Sequence, residues 1–116
     1  MTAHSPIDAT TYAELQEIMA DEFAEIIDFF ITDTESSLEL LQQCVDTQDS
    51  AQVGTICHKL KSSSKIIGAF ALADITHLLE RYKDHQDQPT AFLHITQMRE
   101  EFVSVLAWLK QQPAIA

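Results

Sequence analysis

A chain of 116 residues, 46% apolar and 22% charged, has the size and balance of one globular domain with one core, and no run approaches the ~18 apolar residues of a membrane span. Seven Lys and Arg against eighteen Asp and Glu leave a net charge of -11, which repels nucleic acid and anionic membrane surfaces and makes a protein the expected partner. The opening MTAHSPIDAT has neither the basic stretch nor the apolar run of a secretory signal, so a cytoplasmic protein is expected, with Cys44 and Cys57 reduced and packed as small core residues.

Only two glycines occur, Gly54 and Gly68, and no proline lies between Pro6 and Pro89, which leaves few places for strands and tight turns. An all-α chain follows. Thr11 with Glu14, and Asp49 with Gln52, have the spacing of capping boxes, and each marks an expected helix start. The predicted helices run over about 11–19, 21–47, 50–67, 69–86 and 89–112. Pro89 suits a first turn and Pro113 a stop. The second helix aligns Phe23, Ile26, Ile27, Phe30, Leu38, Leu41 and Val45 on one stripe. The fourth aligns Phe70, Ile75, Leu78, Leu79 and Tyr82, and the fifth Phe92, Ile95, Phe102, Val105, Leu106 and Leu109. Short connections between long helices force neighbours to run antiparallel. The expected architecture is an up-down-up-down antiparallel four-helix bundle with a short additional N-terminal helix, one domain over 1–116 with its ordered core at about 11–112.

The third helix carries the chemistry. No acidic residue lies between Asp49 and Asp74, whereas Lys59, Lys61 and Lys65 fall there, so the field around His58 is expected to be positive. At about 100° per residue, Val53, Ile56, Cys57, Leu60, Ser64 and Ile67 form the buried face. His58 points away from it in company with Gly54, Lys61, Ser62 and Lys65. A glycine one turn before the ring costs about 1 kcal/mol of helix stability relative to alanine, which makes sense where something approaches the backbone closely. Small Ser62 one turn after leaves the ring open, and the lysines can donate to oxyanions. The site suits a phosphoryl group, yet no carboxylate is near in sequence and no Gly-rich nucleotide loop is present, so a partner must bring the rest.

The run His58-Lys59-Leu60-Lys61-Ser62-Ser63-Ser64, followed by Gly68-Ala69, resembles the H-x-L-K-G-S-S-x-x-x-G-A signature of histidine-containing phosphotransfer (HPt) domains, the four-helix carriers of bacterial phosphorelays. The resemblance implies that His58 accepts the phosphoryl group and that Lys61 neighbours its oxygens, with Leu60, Ser63, Ser64, Gly68 and Ala69 in packing positions. Gly54, Ser62 and Lys65 are then the candidates for docking a partner. Ser62 departs from the family, which usually has glycine there to make room for the docking receiver domain. The implied function is a free-standing, monomeric carrier without an independent catalytic centre. It would take phosphate from a receiver domain of a hybrid sensor histidine kinase and pass it to the aspartate of a response regulator. It needs no cofactor of its own, with Mg²⁺ expected only in the partner receiver domain. An adaptor bundle that binds a receiver or kinase without transfer is the alternative.

Other constellations carry less. Asp74-x-x-His77 has the i, i+3 geometry of a di-iron half-site, but no second copy exists, so no metal is expected and His77 reads as surface or boundary. His4, His85 and His94 lack ligand spacing and are expected to be solvated. Phe23, Phe30, Phe70, Phe92, Phe102 and Trp108 recur at helical spacing and read as core, whereas Phe29 and Ile31 fall off the stripe and are candidates for an apolar docking patch or a cover for the first helix.

Overall fold

Aspartates and a glycine set the helix ends. In the computed structural model, which describes residues 5–113, α1 spans Ala9–Met19, a 3-10 turn Ala20–Glu22, α2 Phe23–Asp46, α3 Ser50–Ile67, α4 Phe70–Glu80, α5 Tyr82–His85 and α6 Gln88–Lys110. Asp49 accepts from the Gln52 N–H at 3.2 Å, as the sequence spacing anticipates. The first helix starts earlier than expected, because Asp8 rather than Thr11 is its cap: the Asp8 carboxylate takes both the N–H and the hydroxyl of Thr11. At α6 the cap is Asp87, and Pro89 sits in the first turn where its missing N–H costs nothing. The α3 C-terminus ends on Gly68 in the left-handed region at φ 91°, and the Ala69 N–H closes back onto the Ser64 carbonyl at 2.8 Å.

The four long elements close a ring: α3 packs on α2 and α4, and α6 packs on α4 and α2, with α1 laid over α3 and α2. This is an all-helical antiparallel bundle with a short leading helix. The stripes of α2 and α6 go inward, including Phe23, Ile27, Phe30, Leu38, Leu41, Ile95, Phe102 and Val105, joined by Ala91 and Met98. Edge-on contacts of Tyr12 with Phe23 and Trp108 seat α1 on the core.

The fourth helix departs from its expected form twice. It ends at Glu80, and Tyr82 begins a separate turn, α5, after Arg81. Its buried face is Leu72, Ala73, Thr76, Leu79 and Glu80, whereas Phe70 and Leu78 are exposed and Ile75 is half-buried. Apolar residues surround α4 on nearly every side, so periodicity alone leaves the facing ambiguous. Thr76 turns inward at little cost because its hydroxyl donates to the Leu72 carbonyl at 2.7 Å. This facing brings Glu80 inside, under His58.

Candidate functional site

The burial of Val53, Ile56, Cys57, Leu60, Ser64 and Ile67 fixes the rotation of α3 and turns His58 outward, with 72% of its side chain exposed. Cys57, its neighbour, faces the core, and burial, reinforced by the negative charge of Glu80, pushes its thiol up to about 12. Leu60, Ser64, Gly68 and Ala69 are buried and Ser63 is half-buried, its hydroxyl donating to the Leu60 carbonyl. Lys59 and Lys65 stand exposed.

A carboxylate does lie beside His58, contrary to what the sequence neighbourhood suggests. Glu80, only 9% exposed, presents two oxygens with different neighbours. Nζ of Lys61 donates to Oε1 at 2.7 Å, and Nδ1 of His77 lies 3.4 Å from the same atom. Nδ1 of His58 and Nζ of Lys83 each stand 3.7 Å from Oε2. Burial raises the Glu80 carboxyl, but the hydrogen bond and charge of Lys61, then the charge of Lys83 and the bond to His77, outweigh it and hold the group below its usual value. The carboxylate therefore stays ionised at neutral pH and attracts a proton on Nδ1 of His58. Nε2, on the far edge of an exposed ring, is then the nitrogen with a free lone pair.

Sequence reasoning missed Glu80 because it comes from another helix and an end-of-helix glutamate reads as solvated. The stripe Leu72, Ala73, Thr76 and Leu79 was the signal, since continuing it reaches Glu80 one turn after Thr76. His77 is exposed, as expected, and its Nδ1 also joins the cluster.

Gly54 is corrected as well. It is buried rather than open, because the side chain of Lys83 lies across it: a Cβ at Gly54 would stand 3.0 Å from Cδ of Lys83. The close approach anticipated for this glycine is made by the chain's own α5. Ser62 is exposed, and its hydroxyl back-bonds to the His58 carbonyl at 3.2 Å, so the hydroxyl is occupied while its bulk stands one turn after the ring. His85 ends α5, exposed and accepting from the Asp87 N–H, and His94 is half-buried instead of solvated. His4 lies outside the described residues.

A second feature borders the same face. Phe29, 70% exposed, and Ile66, 56% exposed, line a shallow apolar groove between α2 and α3 with Ile26, Asp33 and Ser63. Ile66 is two turns beyond His58, a rise of roughly 12 Å at 1.5 Å per residue. Ile31 is only half-exposed and packs against the core.

The Hpt domain family model matches residues 25–108. Histidine-containing phosphotransfer protein B (HptB) from Pseudomonas aeruginosa PAO1 superposes with a TM-score of 0.87 at 30% identity, over 94% of this chain and 95% of that one. The fold recurs in the histidine-containing phosphotransfer protein ZmHP2 from maize, with a TM-score of 0.85 at 20% identity over 99% of this chain and 88% of that one. It recurs also in MtHPt2 from Medicago truncatula, with a TM-score of 0.80 at 18% identity over 92% and 76%. A search of curated proteins finds no match to the sequence. With the family's motif histidine exposed on α3 and backed by an ionised carboxylate, the chain belongs to the Hpt domain family, the histidine-containing phosphotransfer carriers of phosphorelays.

Proposed function

We propose that His58 takes a phosphoryl group from the aspartyl phosphate of a hybrid sensor kinase's receiver domain and passes it to the aspartate of a response regulator. The observation that supports this most is the pairing of an exposed ring with a buried, ionised Glu80 on its Nδ1 side. In the accepting step the Nε2 lone pair forms the N–P bond as the acyl-phosphate O–P bond breaks, and the electron pair of that bond returns to the donor carboxylate. The ring becomes a phospho-imidazolium whose Nδ1 proton faces Glu80, so its positive charge is stabilised without any proton leaving. Donation reverses these steps onto the second receiver.

Nζ of Lys61 donates to Glu80 at 2.7 Å and lies 3.4 Å from Nδ1 of His77, and its remaining donor capacity is available to the phosphoryl oxygens one turn from His58. Mg²⁺ belongs to the receiver partner, which holds it beside its own aspartate. The groove at Phe29 and Ile66 supplies an apolar docking surface, with Ser62 and Lys65 between it and the ring. The protein works as a cytoplasmic monomer with no catalytic centre of its own. Incubation with a panel of phosphorylated kinase receiver domains tests this reading: acid-labile label should appear on the wild type and vanish in His58→Gln. Label retained by His58→Gln would overturn it, and binding to receivers without any label would leave an adaptor.

A further inference from the structure

We propose that Lys83 is a second catalytic cation, contacting the phosphoryl group on His58 from the side opposite Lys61, and that residue 54 is glycine to seat it. The inference rests on the carrier reading of His58. A cleft lies immediately before His58 on α3, floored by Gly54 and walled by Thr55, His58, Glu80 and Lys83. Lys83 reaches it from α5, which the buried ring of Tyr82 anchors to the core. Its aliphatic stem crosses the bare backbone at Gly54, where a Cβ would come within 3.0 Å of Cδ, and its ammonium ends 3.7 Å from the same Glu80 oxygen that His58 faces.

The two lysines differ in what they have left to give. Lys61 is 18% exposed and committed to Oε1 at 2.7 Å, whereas Lys83 is 48% exposed and stands beyond hydrogen-bond distance of Oε2. Its three donors are therefore unspent on Glu80 and open to an oxyanion. A phosphoryl group on Nε2 of an exposed ring lies between residues one turn before and one turn after His58, the positions of Gly54 with its overlying Lys83 and of Lys61 with Ser62. Two cations bracketing the three equatorial oxygens spread the neutralisation that one lysine, shared with a carboxylate, supplies only in part.

Phosphoramidate, a small donor that needs no protein partner, separates this role from docking. Its P–N bond breaks as the His58 N–P bond forms, and ammonia leaves. Phosphohistidine is followed by ³¹P NMR for labelling rate and for half-life after donor removal. Lys83→Gln keeps a stem over Gly54 and loses the charge, and should slow labelling or shorten the half-life about five- to tenfold. Lys83→Arg should restore most of the effect. Gly54→Ala should reproduce the defect by displacing the stem, with its melting temperature held or raised because alanine favours helix. Gly54→Ala combined with Lys83→Gln should be no worse than Lys83→Gln alone. Lys110→Ala, on the last turn of α6, should behave as wild type. Wild-type kinetics in Lys83→Gln would overturn the catalytic assignment, and wild-type kinetics in Gly54→Ala would overturn the seat. If the wild type takes no label on His58, the carrier reading falls and this inference with it.

Discussion

Glu80 makes the surroundings of His58 a property of two helices rather than one. Replacing it with glutamine keeps the shape and removes the charge, so Lys61, 18% exposed, loses its carboxylate and Nδ1 of His58 loses the negative charge it faces. Glu80→Gln should cost about 1–2 kcal/mol of stability, read as a lower urea midpoint, and slow phosphotransfer by roughly tenfold. The sign of the accompanying pH dependence follows from the depressed carboxyl: in the unfolded chain it takes up a proton near its ordinary value of 4.5, in the folded one only at lower pH. Its stabilisation is therefore present above about 4.5 and lost as pH falls through the folded value. An acid limb of equal steepness in Glu80→Gln would show that Glu80 contributes nothing to it. Ser62 acts differently, through bulk, since its hydroxyl is taken by the His58 carbonyl. Ser62→Gly should widen the set of receiver domains that exchange phosphate, at a helix cost of about 0.5–1 kcal/mol. A uniform loss of rate across the panel would instead place the hydroxyl in the chemistry.

At the end of α3, Gly68 joins two requirements that the motif presents only as a packing position. Its φ of 91° is the left-handed cap, and its carbonyl accepts the Asp8 N–H at 2.8 Å, which ties the segment before α1 to the end of the helix that carries His58. A Cβ there would stand 3.0 Å from the Asp8 carbonyl oxygen, a backbone atom that cannot swing aside. Gly68→Ala should cost about 1–3 kcal/mol and loosen α1. Faster amide exchange confined to α1 and the α3 end would show it, and an unchanged urea midpoint would refute it. The same helices show what the sequence discloses. On α3 one apolar stripe is clean, so its rotation and the exposure of His58 are readable. On α4, Phe70, Leu72, Ala73, Ile75, Leu78 and Leu79 surround the axis, and the apolar pattern puts Leu78 inward where Glu80 belongs. Facing there is decided by which residues α3 and α6 can receive, a tertiary condition that no local pattern encodes. Gly54 was legible as a close approach, and Lys83 as the approaching group was not, because the contact spans two elements joined only by the fold.

Charge and burial act on the bundle together, and salt separates them. A net charge of -11 loads the surface with repulsion, which counter-ions screen as the Debye length falls from about 10 Å at 0.1 M to about 3 Å at 1 M. The melting temperature at pH 7 should therefore rise with sodium chloride over that range. A second loss of stability should set in at alkaline pH and resist salt. Burial lifts the Cys57 thiol from an ordinary value of 9.0 to about 12, with Glu80 adding to it, and lifts the Tyr12 hydroxyl from 10.0 to about 12. The unfolded chain thus releases these protons first, so the stability they contribute is complete below pH 9 and disappears progressively as pH rises through 12. Cys57 is the cleaner probe because it is fully buried and its replacement by alanine removes one small atom at a cavity cost on the order of 1 kcal/mol. In 1 M salt, urea midpoints measured from pH 7 to 11 should fall less steeply for Cys57→Ala than for the wild type. Equal slopes would move the alkaline sensitivity to Tyr12, where Tyr12→Phe, which keeps both edge-on ring contacts, should then flatten it.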